Sequence, residues 1–221
     1  MKSISVLRLA AILLCCMYLL GFASLQAQVN KWVNYSPDLT TVLKNPAMGW
    51  MMYEEGWSFQ GTRHNKSNIY TPEVFWEQME ECKAADYANI LYIRMLWKDL
   101  EPEEGKYAWI YNEQYKWYIQ KAKDKGLKLA FRVFFHGVDG VPSYVYEAGA
   151  TESPIDDEGK TQPYYDNPVF LEKLDKFVEA FAKEYDNPDE VDYIDAYGLG
   201  RWGEGHGLAL EKKENLETVI R

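Results

Sequence analysis

Cysteine, positive charge and long apolar runs are what this chain of 221 residues has little of. Its three cysteines are Cys15, Cys16 and Cys82, and the first two fall in a leader-like stretch. One cysteine beyond that stretch excludes an intrachain disulfide, so a hydrophobic core must hold the fold. Lys and Arg number 24 against 34 Asp and Glu, a net charge of −10. That deficit argues against nucleic acid and anionic lipid as partners, since both are bound by cationic neutralisation. The longest apolar run, "LAAILLCCMYLLGFA" from Leu9 to Ala23, has 15 residues. A membrane span needs about 18 to 20. There is no internal repeat, no low-complexity linker, no H-E-x-x-H and no G-x-S-x-G, so zinc-protease and serine-nucleophile chemistry have no spelling here.

The apolar run instead belongs to a secretory signal. Lys2 and Arg8 precede it and "SLQAQ" follows, with small residues suited to cleavage after Ala27. Residues 1–27 are therefore expected to be removed, leaving 28–221 as the working chain, secreted or periplasmic, without stable membrane insertion. Loss of Lys2 and Arg8 takes the net charge to about −12.

Beyond the leader, two kinds of segment alternate. "ANILYIRMLW" (Ala88 to Trp97), "LKLAFRVFF" (Leu127 to Phe135) and "VDYIDAYG" (Val191 to Gly198) read as buried strands, with "NPAMGWMMY" (Asn45 to Tyr53) a weaker one in front. Between them lie three helices. Thr71-Pro72-Glu73 starts the first, with Phe75, Met79 and Cys82 on its stripe. Asn112 starts the second, with Tyr115, Tyr118, Ile119 and Ala122 inward and Gly126 as its stop. Asn167-Pro168 starts the third, with Phe170, Leu174, Phe177, Val178 and Phe181 inward, and a fourth begins in "EKKENLETVIR". The β-α alternation implies right-handed crossovers and a parallel sheet. Its closure is either an open doubly wound sheet or a (β/α)8 TIM barrel of which about the first four units are present, since a whole barrel takes roughly 250 residues.

Polar residues favour the barrel. Along Leu127 to Phe135 the odd positions are all apolar, while the even side carries Arg132 and leads to His136. Arg94 shares a face with Tyr92 and Leu96, leaving Leu91, Ile93 and Met95 for the helices. Guanidinium groups inside a sheet require partners. Either Arg94, Arg132 and His136 converge at the carboxyl mouth of a barrel, or the arginines form internal ion pairs with Asp195, Glu54 or Glu55.

At "IRMLWKDLEPEEGKYAW" (Ile93 to Trp109) the chain resembles the second-strand signature of clan A glycoside hydrolases, notably the family 42 β-galactosidases and family 5 cellulase-like enzymes. Arg94, Trp97, Leu100, Glu101, Pro102, Gly105 and Tyr107 carry the match. "GLKLAFRVFFHG" resembles the third strand, and "VPSYV" the turn after it, with Tyr144 where those families have tryptophan. The resemblance implies a catalytic acid/base glutamate after the fourth strand, which is Glu204 here, and a nucleophile on the seventh, beyond Arg221. Gly203 stands where the clan places asparagine. The "W-G-E-x-H" from Trp202 to His206 is similar to that of uncharacterised secreted bacterial barrel proteins.

"YGLGRWGEGHG" (Tyr197 to Gly207) also spells G-x-G-x-x-G at Gly198, Gly200 and Gly203. A dinucleotide turn needs a helix starting within it and an acidic residue about 20 positions on. Gly205 and Gly207 discourage that helix, and Trp202 would crowd a pyrophosphate. A carboxylate reading fits better: glycoside hydrolysis needs one protonated and one ionised carboxyl group. Partial burial beside Trp202 would tune Glu204 as the acid. His206 and Arg94 would orient it or bind hydroxyls, while Trp97 and Trp202 offer faces for a sugar ring. Asp195, Glu204 and His206 are a weaker metal reading. The expected protein is a secreted glycoside hydrolase-like barrel acting on a poly- or oligosaccharide without cofactor or metal, its substrate-binding set Arg94, Trp97, His136, Trp202 and His206. The alternatives are a non-catalytic carbohydrate-binding barrel, or an interaction protein whose outer strands pair with a second chain.

Overall fold

A computed structural model of the chain describes residues 36, 38–41, 49–54, 57–58, 61–62, 71–135, 140–154, 161–195 and 198–219. The signal segment 1–27 and His136 lie outside the described residues. The chain divides into two units, Met1–Thr41 and Val42–Arg221. In the first, the Asp38 carboxylate caps a turn by accepting from the backbone N–H groups of Thr40 and Thr41.

The second unit contains β1 (Trp50–Glu54), a short antiparallel pair β2 (Trp57–Ser58) and β3 (Gly61–Thr62), α1 (Pro72–Glu81), α2 (Ala84–Tyr87) and β4 (Ala88–Leu96). There follow α3 (Trp97–Leu100), α4 (Ala108–Tyr111), α5 (Glu113–Asp124), β5 (Lys128–Phe134), α6 (Ser143–Glu147), α7 (Pro168–Tyr185), β6 (Val191–Ile194) and α8 (Leu216–Val219). The three start signals act as sequence chemistry requires. Thr71, Asn112 and Asn167 each accept backbone N–H groups of the first turn that follows.

Four strands form one parallel sheet in the order β1-β4-β5-β6. Parallel strands laid down in chain order, with their helices on one face, are consecutive units of a TIM barrel; a doubly wound sheet reverses its order and is covered on both faces. The helix-side core joins Leu91, Ile93 and Met95 of β4 and Leu129, Phe131 and Val133 of β5 to Phe75, Trp76, Tyr118, Phe170, Phe177 and Phe181.

Two helix stripes differ from expectation. On α1 Phe75 and Trp76 are buried and Met79 packs against the core, while Cys82 is exposed just past the helix end. On α7 the stripe runs Phe170, Leu174, Phe177, Phe181 and Tyr185, with Val178 52% exposed. A straight helix drifts around its axis, so the residue three or four beyond Phe181 falls inward and Val178 falls off the seam. The stripe of α5 is the expected one, Tyr115, Tyr118, Ile119 and Ala122.

Two bulges set which side chains face the open side. The register of β1 against β4 shifts between Trp50 and Met51, and that of β5 against β6 between Leu129 and Ala130. In β6, Val191 pairs with Leu129 and Tyr193 with Ala130, so Asp192 is the extra residue. One inserted residue inverts the alternation beyond it. Val191 joins the helix-side core, whereas Tyr193 and Asp195 point to the open face.

Candidate active site

The open face carries a row of side chains from all four parallel strands. Tyr53 of β1 lies against Tyr92 of β4, with ring centroids 5.3 Å apart, and Tyr92 against Tyr193 of β6 at 6.0 Å. One layer toward the carboxyl ends, Arg94 and Arg132 are direct partners in the β4–β5 register. Asp195 follows β6 and remains on its ladder through a 2.8 Å bond from its N–H to the Phe131 carbonyl.

The two guanidinium groups are satisfied differently. Arg132 places Nε and Nη2 at 2.8 and 2.7 Å from one oxygen of Asp195, which also accepts from the Tyr92 hydroxyl at 2.8 Å. Burial first, and then this hydrogen bond, push the Tyr92 phenol well above its ordinary value, so it stays a donor. Arg94 is only 8% exposed and donates to the Tyr53 hydroxyl at 2.7 Å and to the Trp202 carbonyl at 3.0 Å. Its guanidinium also lies 5.3 Å from the Phe134 ring centre.

The loop after β6 folds back over this face. Gly198, Gly200, Gly203, Gly205 and Gly207 all have positive φ, and so does Trp202 at φ 53°, ψ 17°. A side chain on Gly203 would meet the Phe134 Cβ at 2.8 Å, and one on Gly200 would collide with the His206 carbonyl oxygen. The glycines of the G-x-G-x-x-G are thus there for close backbone approach to the sheet and to the loop itself. Only a three-residue 3₁₀ turn, Arg201–Gly203, forms within the motif; the helix that a dinucleotide site needs there does not.

Trp202 is 43% exposed, and its indole lies 5.8 Å from the His206 ring. Glu204 places Oε1 3.4 Å from Arg132 Nη1 and Oε2 3.6 Å from His206 Nε2. Its side chain is 45% exposed, so it is covered only in part.

The structure therefore brings Arg94, Trp202, Glu204 and His206 to one side of the sheet, together with Arg132 and Asp195. Of the internal ion pairs expected for the arginines, Arg132 with Asp195 is present. Trp97 is a correction. It is completely buried on the helix side, against Phe135, Tyr144, Phe170 and Phe177, and cannot receive a sugar ring. Its Nε1 donates to Glu101 at 2.8 Å, Tyr144 donates to the same oxygen at 2.6 Å, and the Gly105 N–H donates to the other at 2.8 Å. The W-x-x-L-E-P-x-x-G run thus closes a buried hydrogen-bonded corner at the end of β4, remote in role from ligand contact. Three side chains on the open face, Tyr53, Tyr92 and Tyr193, went unread as site residues. Alternation signals Tyr92 in β4, and Tyr53 in β1 opposite the buried Met52, but the extra residue Asp192 hides Tyr193. Among the described residues no group of three or more His, Cys, Asp or Glu is arranged to hold a metal, and no helix is long and apolar enough to cross a membrane.

No family model and no curated protein sequence matches the chain. Among solved structures it is similar to a β-glucosidase from Exiguobacterium marinum, at 17% identity and TM-score 0.37 over 56% of this chain and 23% of that one. A GH1 β-glucosidase from Exiguobacterium antarcticum B7 gives the same values. Isomaltulose synthase from Klebsiella sp. LX3 is 13% identical, with TM-score 0.38, over 75% of this chain and 37% of that one. The chain thus spans between about a quarter and two-fifths of the length of these enzymes. Similarity at this level says nothing of activity, and the barrel assignment stands on strand order and helix placement.

Proposed function

We propose that this chain is part of a secreted glycoside hydrolase-like barrel that acts on a poly- or oligosaccharide. Glu204 is its general acid/base, and Arg94, Trp202 and His206 bind substrate. One observation carries the reading: the Trp202–Glu204 loop is folded onto the open face at the carboxyl ends of the strands, where barrel enzymes keep their chemistry. There a carboxyl group, an exposed indole, an imidazole and two guanidinium groups meet. In its protonated form Glu204 donates to the departing glycosidic oxygen, and it takes the proton back from the incoming water. The indole supplies a flat apolar face for a pyranose ring, and the Arg94 guanidinium and the His206 imidazole bind hydroxyls.

A second reading is favoured by the exposure of Trp202 and Glu204 alone, which suits a barrel that holds glycan without cleaving it. Hydrolysis of a panel of aryl glycosides and polysaccharides by the full-length protein, measured beside glycan binding, separates the two. Hydrolysis by the native protein with binding but no turnover in Glu204→Gln supports the acid/base role. Binding with no turnover in either protein defeats the enzyme reading and leaves the binding one.

A further inference from the structure

We infer that Arg132 is the positioning residue of this site: its anchored guanidinium holds the Trp202–Glu204 loop against the sheet and fixes where the indole and the carboxylate stand. The assignment of a purpose to that loop rests on the glycan reading above. The positioning itself is a matter of geometry.

Arginine offers five N–H donors in a planar fork, so its two edges can serve two masters at once. One edge is immobilised. Nε and Nη2 both reach a single Asp195 oxygen, and Tyr92 pins that oxygen from the neighbouring strand. Such a doubly bonded pair fixes the plane of the guanidinium. The opposite edge is left to face the loop, where Nη1 lies 3.5 Å from the Trp202 carbonyl and 3.4 Å from Glu204 Oε1. The aliphatic stem takes part as well: its Cδ lies 3.4 Å from where a Gly203 side chain would begin. One residue thus reaches Trp202 and Glu204 and fills the space beside Gly203 between them.

The loop needs that support. Trp202 occupies the left-handed region, which a bulky side chain adopts at a cost of about 1–2 kcal/mol. Strain of this kind persists where the surroundings over-determine it, and it clusters at sites of function. Here the Trp202 carbonyl is met by Arg94 from β4 and Arg132 from β5. Arg132 reaches the Glu204 carboxylate as well as the Trp202 carbonyl, so it couples the two groups that the site presents.

The test uses the full chain with 5-fluorotryptophan incorporated, the Trp202 fluorine resonance being assigned by its loss in Trp202→Phe. In Arg132→Met that resonance is expected to shift or broaden while those of the buried Trp76 and Trp97 stay in place. In Arg132→Lys the native resonance returns only in part, because one ammonium cannot span Asp195 and the loop together. A Trp202 resonance in Arg132→Met that superimposes on the native one overturns the inference. Should Arg132→Met lose the core resonances as well, Asp195→Asn decides. That variant keeps the guanidinium and loosens only its anchored edge, and an unmoved Trp202 signal there overturns the inference equally. If the native protein hydrolyses glycosides, Arg132→Lys is expected to lower kcat by about 10- to 100-fold with KM little changed. If it neither cleaves nor binds glycan, the sugar reading falls, and the fluorine spectra still decide the role of Arg132.

Discussion

Arg94 and Arg132 are directly opposed in the parallel ladder between β4 and β5, two guanidinium groups side by side on one face of the sheet. Like charges opposed across strands repel, so the face depends on the acceptors gathered around them. Asp195 is the one that takes two N–H groups from Arg132. Replacing it by alanine is expected to destabilise the fold by about 1.5–3 kcal/mol, the range for hydrogen bonds to charged groups. Urea unfolding checks this, and the Tyr92 phenol should titrate closer to its ordinary value in the same variant. A midpoint equal to that of the native protein would show that the arginines need no acid at position 195.

Glu101 accepts from Trp97, Tyr144 and Gly105 while itself buried. Glu101→Ala orphans all three donors at once and is expected to destabilise by several kcal/mol, at about 1–3 kcal/mol for each unsatisfied group. Glu101→Gln keeps one good acceptor oxygen and should lose less. Thermal unfolding of the pair tests the order. Any glycan affinity per folded molecule should stay the same in both, because this corner belongs to the core.

Two glycines with nearly equal φ separate backbone strain from crowding. Gly105 has φ +77° and open space around it, whereas Gly203 has φ +71° and the Phe134 side chain in the way. Gly105→Ala is expected to lose only the left-handed penalty of about 1–2 kcal/mol. Gly203→Ala adds a collision that Phe134 must yield to, so its loss of stability should be the larger. Equal losses in chemical denaturation would mean that the loop after β6 moves aside freely.

Asp166 gives the fold an acid sensitivity. Burial pushes its carboxyl up, but the N–H groups of Glu211 and Lys212 and the amide of Asn215 outweigh it and leave the carboxyl below its ordinary value. A depressed folded-state value stabilises above the unfolded one, about 3.9. That stabilisation is lost as pH falls through the folded value. Melting temperature should therefore drop below about pH 4, and the Asp166→Asn variant should be less stable at neutral pH and drop less on acidification. Parallel curves for the two proteins would count against Asp166 as the sensor.

The helices were legible wherever a cap and a periodic stripe agreed, as at Asn112 and its four inward residues. Alternation likewise placed Arg94 and Arg132 on the open face, because β4 is regular beyond Ile90 and β5 throughout its pairing with it. Beyond the bulge at Asp192 it failed. Strict period two from Val191 would send Tyr193 and Asp195 toward the helices, and only the extra residue turns them to the site. Trp97 misled for a different reason. It follows β4 directly, and whether an aromatic at a strand end faces solvent or core depends on which way the chain turns next. Here α3 turns it under the helices.

The carbonyl of Trp202 is grasped by side chains rooted in two adjacent strands. Neighbouring strands in a barrel are rotated against each other, and that rotation sets the separation of the two roots. The height of the indole above the sheet is thereby a gauge of sheet coiling: a core change beneath β4 and β5 that alters their twist would be read out at the mouth, far from where it was made.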